Sequence, residues 1–236
     1  MPAFLAAIAA GAEGIELDVH AAADGTLFVH HDFAIAGAVS GGAGGAALPI
    51  STLDASRVSR IELAPGVTIP RLDDVLEEIG SRVALFIELK AAAIEAEVVR
   101  CLRRHPDSVD RHAVHSFDHR VVRAMAGLVP PLRTGVLQAS YPVDSCAVMR
   151  AAGATDLWQR LEFIDQPLVS SVRACGGRVI AWTSNTPAEW DEFARIGVNA
   201  ICTDRVDEYV SHARGRMPPQ AAEMPQGIEQ PVTDNG

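Results

Sequence analysis

Glu16 and Asp18 stand two apart in Gly14-Ile-Glu-Leu-Asp-Val19, so on an extended strand both carboxylates leave one face. Asp24-Gly25 follows, flanked by strand-like residues, a two-residue hairpin signal. A turn on 24 and 25 pairs Ala23 with Thr26 and, counting outward, sets Asp18 opposite His31. Carboxylates that can hold a cation, next to an imidazole that can move a proton, are the makings of metal-assisted hydrolysis.

Glu88 adds a third acid, inside the apolar run Val83–Leu89. Read singly, each acid fits an ordinary salt bridge at a strand end. The apolar flanks Ile15, Leu17, Ile87 and Leu89 argue otherwise, because an uncompensated charge in a buried strand is costly. Three carboxylates and no cysteine or histidine cluster suit Mg²⁺ or Ca²⁺. Lys90 lies two beyond Glu88, on the same face, where it can neutralise the acids or hold a phosphate oxygen. Asp32 can orient His31 or cap the following loop, while His30 points to the other face. His20 has a minor place, and His105, His112, His115 and His119 show no ligand spacing on one face. Trp182, in Ala-Trp-Thr-Ser-Asn185, is either core filling or a wall for the apolar part of a substrate. No nucleophile motif such as G-x-S-x-G is present.

These residues need a scaffold of alternating strands and helices. Strand-like runs occur at Ile15–Val19, Val83–Leu89, His112–Phe117, Arg133–Leu137, Asp156–Gln159, Arg178–Thr183 and Ala200–Cys202, with Leu27–His31 as a hairpin arm. Helical patterns separate them at Leu72–Ile79, Ile94–Arg103, Val121–Leu128, Pro142–Ala152, Pro167–Cys175 and Pro187–Ile196. Continuously apolar strands belong to a parallel sheet covered on both faces. The polar residues gather at the C-terminal ends of the strands, which is the catalytic rim of a (β/α) barrel. The Gly/Ala stretch 36–47 lacks phosphate-loop spacing and reads as a surface loop. The expected domain spans 1–214, with a disordered tail over 215–236.

Half of the 236 residues are hydrophobic (48%), enough for one sizeable core. A net charge of −10 excludes a basic footprint for nucleic acid or anionic lipid, so an anionic substrate needs a local cation. Cys101, Cys146, Cys175 and Cys202 are widely spaced and suggest no disulfide framework, which points to a reducing cytoplasm. The opening MPAFLAAIAAGAEG reads as an amphipathic-to-buried helix rather than a signal peptide, and no run is long enough to insert stably in a membrane.

Taken together, the segments resemble the glycerophosphodiester phosphodiesterase family. The resemblance rests on Gly14-Ile-Glu-Leu-Asp-Val19, Asp24-Gly25 with His31-Asp32, Ile69-Pro-Arg-Leu72, Ile87-Glu-Leu-Lys90, Ser116-Phe117, Trp182-Thr-Ser-Asn185 and Gly197-Val-Asn-Ala-Ile-Cys-Thr-Asp204. It implies a TIM (β/α)8-type barrel that hydrolyses glycerophosphodiesters to an alcohol and glycerol 3-phosphate with a divalent cation. It also implies Glu16, Asp18 and Glu88 as metal ligands, His31 as one of two catalytic histidines and Lys90 as a phosphate contact. Two departures stand out. Val206 occupies a position where the family usually has Pro. The family's first strand, ending in His-Arg-Gly with the other catalytic histidine, has no counterpart ahead of Pro2. The expectation is therefore a barrel lacking its first strand, with two open edges. Either the true translation start lies upstream, or the hydrolysis is impaired or replaced by phosphate and cation binding without turnover. Oligomeric state is left open.

Overall fold

The computed structural model describes residues 1–36, 47–129 and 132–216. The 36–47 loop and the tail expected from 215 fall almost wholly outside these residues. Helix α1 (Pro2–Ala10) leads into β1 (Gly14–Ala21) and the hairpin strand β2 (Leu27–Val29). A small layer follows: the two-stranded pair β3 (Ala34–Ile35) and β4 (Leu48–Pro49), helix α2 (Ala55–Val58), and the pair β5 (Glu62–Ala64) and β6 (Val67–Thr68). From α3 (Leu72–Ile79) onward, strand and helix alternate: β7 (Ala84–Leu89), α4 (Glu95–Arg103), β8 (Ala113–Ser116), α5 (His119–Met125), β9 (Arg133–Gln138), α6 (Ser145–Ala152) and β10 (Asp156–Arg160). The series closes with α7 (Gln166–Ala174), β11 (Arg178–Trp182), α8 (Pro187–Ile196), β12 (Ala200–Ile201) and α9 (Val206–Arg216).

The main sheet runs in the order β12-β11-β10-β9-β8-β7-β1-β2, parallel throughout except for β2. Among the described residues, β12 and the Gly14–Asp18 half of β1 each pair on one side only, so the curled sheet is an incomplete TIM barrel, as expected. Its two ends nevertheless face each other. Cys202, just past β12, has its thiol pushed up to about 12 by burial first and then by the charges of Glu16, Asp204 and Asp18.

Strand parity sorts the core. Leu85, Ile87 and Leu89 face outward into the cluster under α3 and α4. Val136, Leu157, Val179 and Ala181 do the same under α6, α7 and α8. The alternate residues Phe86, Leu137, Trp158, Ile180, Trp182 and Cys202 fill the inside of the curl. Helix starts are fixed by side-chain caps: Asp144 accepts from the Ala147 N–H at 2.8 Å, and Asp165 from Leu168 at 2.8 Å. Thr186 and Glu189 form a reciprocal capping box on α8. Val206, where the family favours Pro, is the first residue of α9, a position at which Pro is preferred but not required.

Three expectations need correction. The hairpin carries a three-residue loop, Ala23-Asp24-Gly25, closed by Ala22 N–H to Thr26 O at 2.8 Å, with Gly25 left-handed at φ 83. This pairs His20 with Phe28 and shifts the register by one residue. Helix α1 buries none of its residues; Phe4, Leu5 and Ile8 are half-buried against the core. Cys146 and Cys175 form a disulfide, joining the start of α6 to the end of α7.

Candidate active site

Register brings the chemistry together. Asp18 pairs with Glu88, Glu88 with His115, and His115 with Gly135, so four neighbouring strands present these residues at one level of the inner face. Glu16 sits two residues before Asp18 and shares that face. One oxygen each from Glu16 and Glu88 and one ring nitrogen of His115 lie within 4.8 Å of one another. His115 Nε2 is 3.3 Å from Glu16 Oε1. The contact is electrostatic and lacks hydrogen-bond alignment, and neither ring nitrogen of this buried histidine has a hydrogen-bond partner.

Lys90 bridges two of the acids, with Nζ 2.9 Å from Asp18 Oδ1 and 2.9 Å from Glu88 Oε1. Burial pushes the Glu88 carboxyl above its ordinary range, although Lys90 opposes the rise. Burial also acts to lower Lys90, but the two carboxylates outweigh it and hold the ammonium above its ordinary value. The asymmetry follows from counting partners: Lys90 collects two acids, whereas Glu88 shares one cation with Asp18.

The inner wall is aromatic. The Trp158 indole stacks on His115 and meets Phe86 edge-on at 5.4 Å. Trp182 meets the half-exposed Phe117 edge-on at 5.6 Å, and its buried Nε1 has no protein partner. Gln159, at the end of β10, donates to Ser140 O at 3.1 Å and keeps a buried, unpaired Oε1. The motif residues Ser184 and Asn185 are structural. Ser184 donates to Glu189 at 2.9 Å, and Asn185 clasps Asp204 at 2.9 Å.

Glu16, Asp18, Glu88, Lys90 and Trp182 thus share the inner face. His31 does not sit opposite Asp18: the backbone N–H of His30 donates there, to Asp18 O at 3.0 Å. The His31 side chain is 76% exposed, with Nδ1 2.9 Å from Asp32 Oδ1. His20 is buried, edge-on to Phe33, with Nε2 3.4 Å from the His31 carbonyl, so it supports the His30–Asp32 segment from below. The residue that sequence reasoning passed over is His115. Spacing among histidines carried no signal, but strand parity did: with Val114 outward, His115 and Phe117 turn inward beside Glu88.

A divalent cation fits this donor set, since two carboxylates and an orphaned buried imidazole converge there. No helix among the described residues is long and apolar enough to cross a membrane.

Residues 1–208 match the model of the glycerophosphoryl diester phosphodiesterase family. A glycerophosphodiester phosphodiesterase of Caldanaerobacter subterraneus subsp. tengcongensis is 28% identical over 90% of this chain and 90% of its own length. One from Bacillus altitudinis is 29% identical over 89% and 90%. Among solved structures, glycerophosphodiester phosphodiesterase from Agrobacterium tumefaciens superposes with a TM-score of 0.75 at 24% identity, covering 87% of this chain and 90% of that one. An Oleispira antarctica phosphodiesterase in complex with the product sn-glycerol-3-phosphate superposes with a TM-score of 0.77 at 20% identity, covering 90% and 89%. With its motifs in order along an incomplete TIM barrel, the chain belongs to the glycerophosphoryl diester phosphodiesterase family, whose namesake activity is that of a phosphoric diester hydrolase.

Proposed function

We propose that this protein hydrolyses glycerophosphodiesters to an alcohol and glycerol 3-phosphate, using a divalent cation held by Glu16, Asp18 and Glu88. The observation that carries the reading is the convergence of the three acids and Lys90 on the inner face, in a chain of this family. Three carboxylates alone favour Mg²⁺ or Ca²⁺. Bound there, the cation would neutralise phosphate charge as a Lewis acid.

The protein's own groups divide the remaining work. Lys90 offers a phosphate oxygen a point charge in a molecule whose net charge of −10 otherwise repels it. Trp182 and Phe117 form an apolar wall against which a glycerol or alcohol moiety packs. His31, oriented by Asp32, moves the proton between the attacking water or leaving oxygen and solvent. Its exposure favours a second reading, a cation- and phosphate-binding protein of the same fold without turnover, because a general acid acts only when a substrate or another chain segment brings it to the reacting atoms.

Glycerol 3-phosphate release from glycerophosphodiesters, measured with added Mg²⁺ or Ca²⁺, separates the two. Activity lost in Glu16→Ala and lowered about 10²–10⁴-fold in His31→Ala supports the hydrolase. The same assay on the chain extended by an N-terminal strand ending in His-Arg-Gly tests impairment, since activity rising only with that strand assigns a proton-transfer group to it. Cation-dependent glycerol 3-phosphate binding with no turnover in either form establishes the second reading instead.

A further inference from the structure

We propose that His115 Nε2 is a ligand of the cation alongside Glu16 and Glu88, and that this nitrogen turns the site's preference toward first-row transition ions such as Mn²⁺, Co²⁺ or Zn²⁺. The proposal rests on reading this rim as a cation site and departs from it in ligand set and ion class.

The donor atoms of Glu16, Glu88 and His115 lie within 4.8 Å of one another. Two ligands bonded to one small ion at about 2.1 Å are at most about 4.2 Å apart, so the set closes on an ion with only a slight movement of a carboxylate arm. Asp18 is not in this set; its carboxylate and that of Glu88 are both held by Lys90, so Glu88 serves the ion and the ammonium together. His115 is 1% exposed, and both of its nitrogens lack a hydrogen-bond partner. A buried imidazole is seldom left so, because each unmet polar atom carries a desolvation cost. Turned toward Glu16, 3.3 Å from Oε1, Nε2 can donate its lone pair to a cation held there. A ligating histidine is ordinarily oriented by a hydrogen bond to its other nitrogen. Here the orientation comes from the Trp158 indole, lying parallel to the ring with centroids 4.2 Å apart. Imidazole is a poor ligand for Mg²⁺ and Ca²⁺ and a good one for Mn²⁺ through Zn²⁺, so replacing an oxygen donor by this nitrogen redirects selectivity.

Calorimetric titration of the full chain with Mn²⁺, Co²⁺, Zn²⁺, Mg²⁺ and Ca²⁺ tests the selectivity. Electron spin-echo modulation of bound Mn²⁺ reads nitrogen ligation directly in the unmodified protein. The expected results are at least tenfold tighter binding of Mn²⁺ or Co²⁺ than of Mg²⁺, a ¹⁴N coupling on Mn²⁺, and loss of both in His115→Gln with Mg²⁺ affinity changed less than threefold. Mn²⁺ bound without ¹⁴N coupling, or a preference that survives in His115→Gln, overturns the assignment of His115 while leaving the carboxylate site intact. No binding of any of the five ions overturns the cation site itself.

Discussion

His115 lies flat against Trp158, with ring centroids 4.2 Å apart and planes 9° from parallel, and Gly135 is what lets the indole reach it. A Cβ on Gly135 would stand 2.8 Å from Trp158 Cδ1 and 3.3 Å from Asp156 Cβ, both in packed surroundings that cannot yield freely. Gly135→Ala therefore displaces the indole from His115. The expected cost is about 1–3 kcal/mol, the range for overpacking, measured as a lower denaturation midpoint together with a change in tryptophan fluorescence. An unchanged midpoint and spectrum would show that the wall behind His115 is slack.

Lys90 is the only cation bonded to Asp18 and Glu88 among the described residues, and removing it has a signed consequence. In Lys90→Met, Glu88 keeps the burial that raises its pKa and loses the charge that opposes the rise. An acid raised on folding binds its proton more tightly folded than unfolded. The variant's stability therefore falls as pH rises above about 4.5, until Glu88 ionises within the fold. The loss at neutral pH is about 3 kcal/mol, the low end for breaking a buried ion pair, and a millimolar divalent cation recovers part of it by replacing the missing positive charge. Denaturation at pH 5 and pH 8, with and without the cation, measures both effects; a variant with no extra pH slope contradicts the pairing.

Much of this arrangement was legible in the sequence, and what was not has identifiable causes. Apolar runs and helical periods located the alternating elements because the central strands are buried on both faces and the helices between them on one; α3 and α8 fall on the residues their patterns mark. The acids could be found because charge inside an apolar strand is an anomaly. The hairpin register was missed because Asp24-Gly25 suits either loop length. Asp24 is spent on the N–H groups of Thr26 and Ala55, so Gly25 takes the left-handed position of a three-residue loop, and one residue of slip exchanges His30 for His31. His115 was missed because its partners come from other strands, where lateral register decides. Cys146 and Cys175 were missed for the same reason: their meeting depends on how two helices pack.

That disulfide gives a prediction about stability and compartment together. It closes a separation of 29 residues, for which the chain-entropy account gives about 3–4 kcal/mol. Reduction or Cys146→Ser should lower the denaturation midpoint accordingly, with little change at the inner face, since both cysteines lie on the outer helices. The cysteine spacing points to a reducing cytoplasm, whereas this bond points to an oxidising compartment. Alkylation and mass measurement on protein taken directly from its host cells distinguish them: two alkylated thiols under non-reducing conditions indicate the bond, four indicate its absence.

Acid should weaken the fold through His112, which is fully buried and distant in role from the site. Burial lowers its pKa from the usual 6.5 to about 4, with Arg111 adding to the fall. The neutral ring is built into the structure: Nδ1 accepts from the Leu85 N–H at 3.1 Å, and Nε2 lies 3.1 Å from Ser108 Oγ, to which it donates. Protonation at Nδ1 would set two donors against each other. Between pH 6.5 and about 4 the unfolded chain holds a proton on this residue that the folded chain does not, so stability falls as pH falls through that window. The full contribution, on the order of 3 kcal/mol, is present above pH 6.5 and gone below about 4. Urea denaturation at intervals across this range should show the slope in the unmodified protein. His112→Gln, whose amide can still accept from Leu85 and donate to Ser108, should lose stability overall and flatten the slope by the share of one titrating group. A slope as steep in the variant would assign the acid sensitivity to other residues.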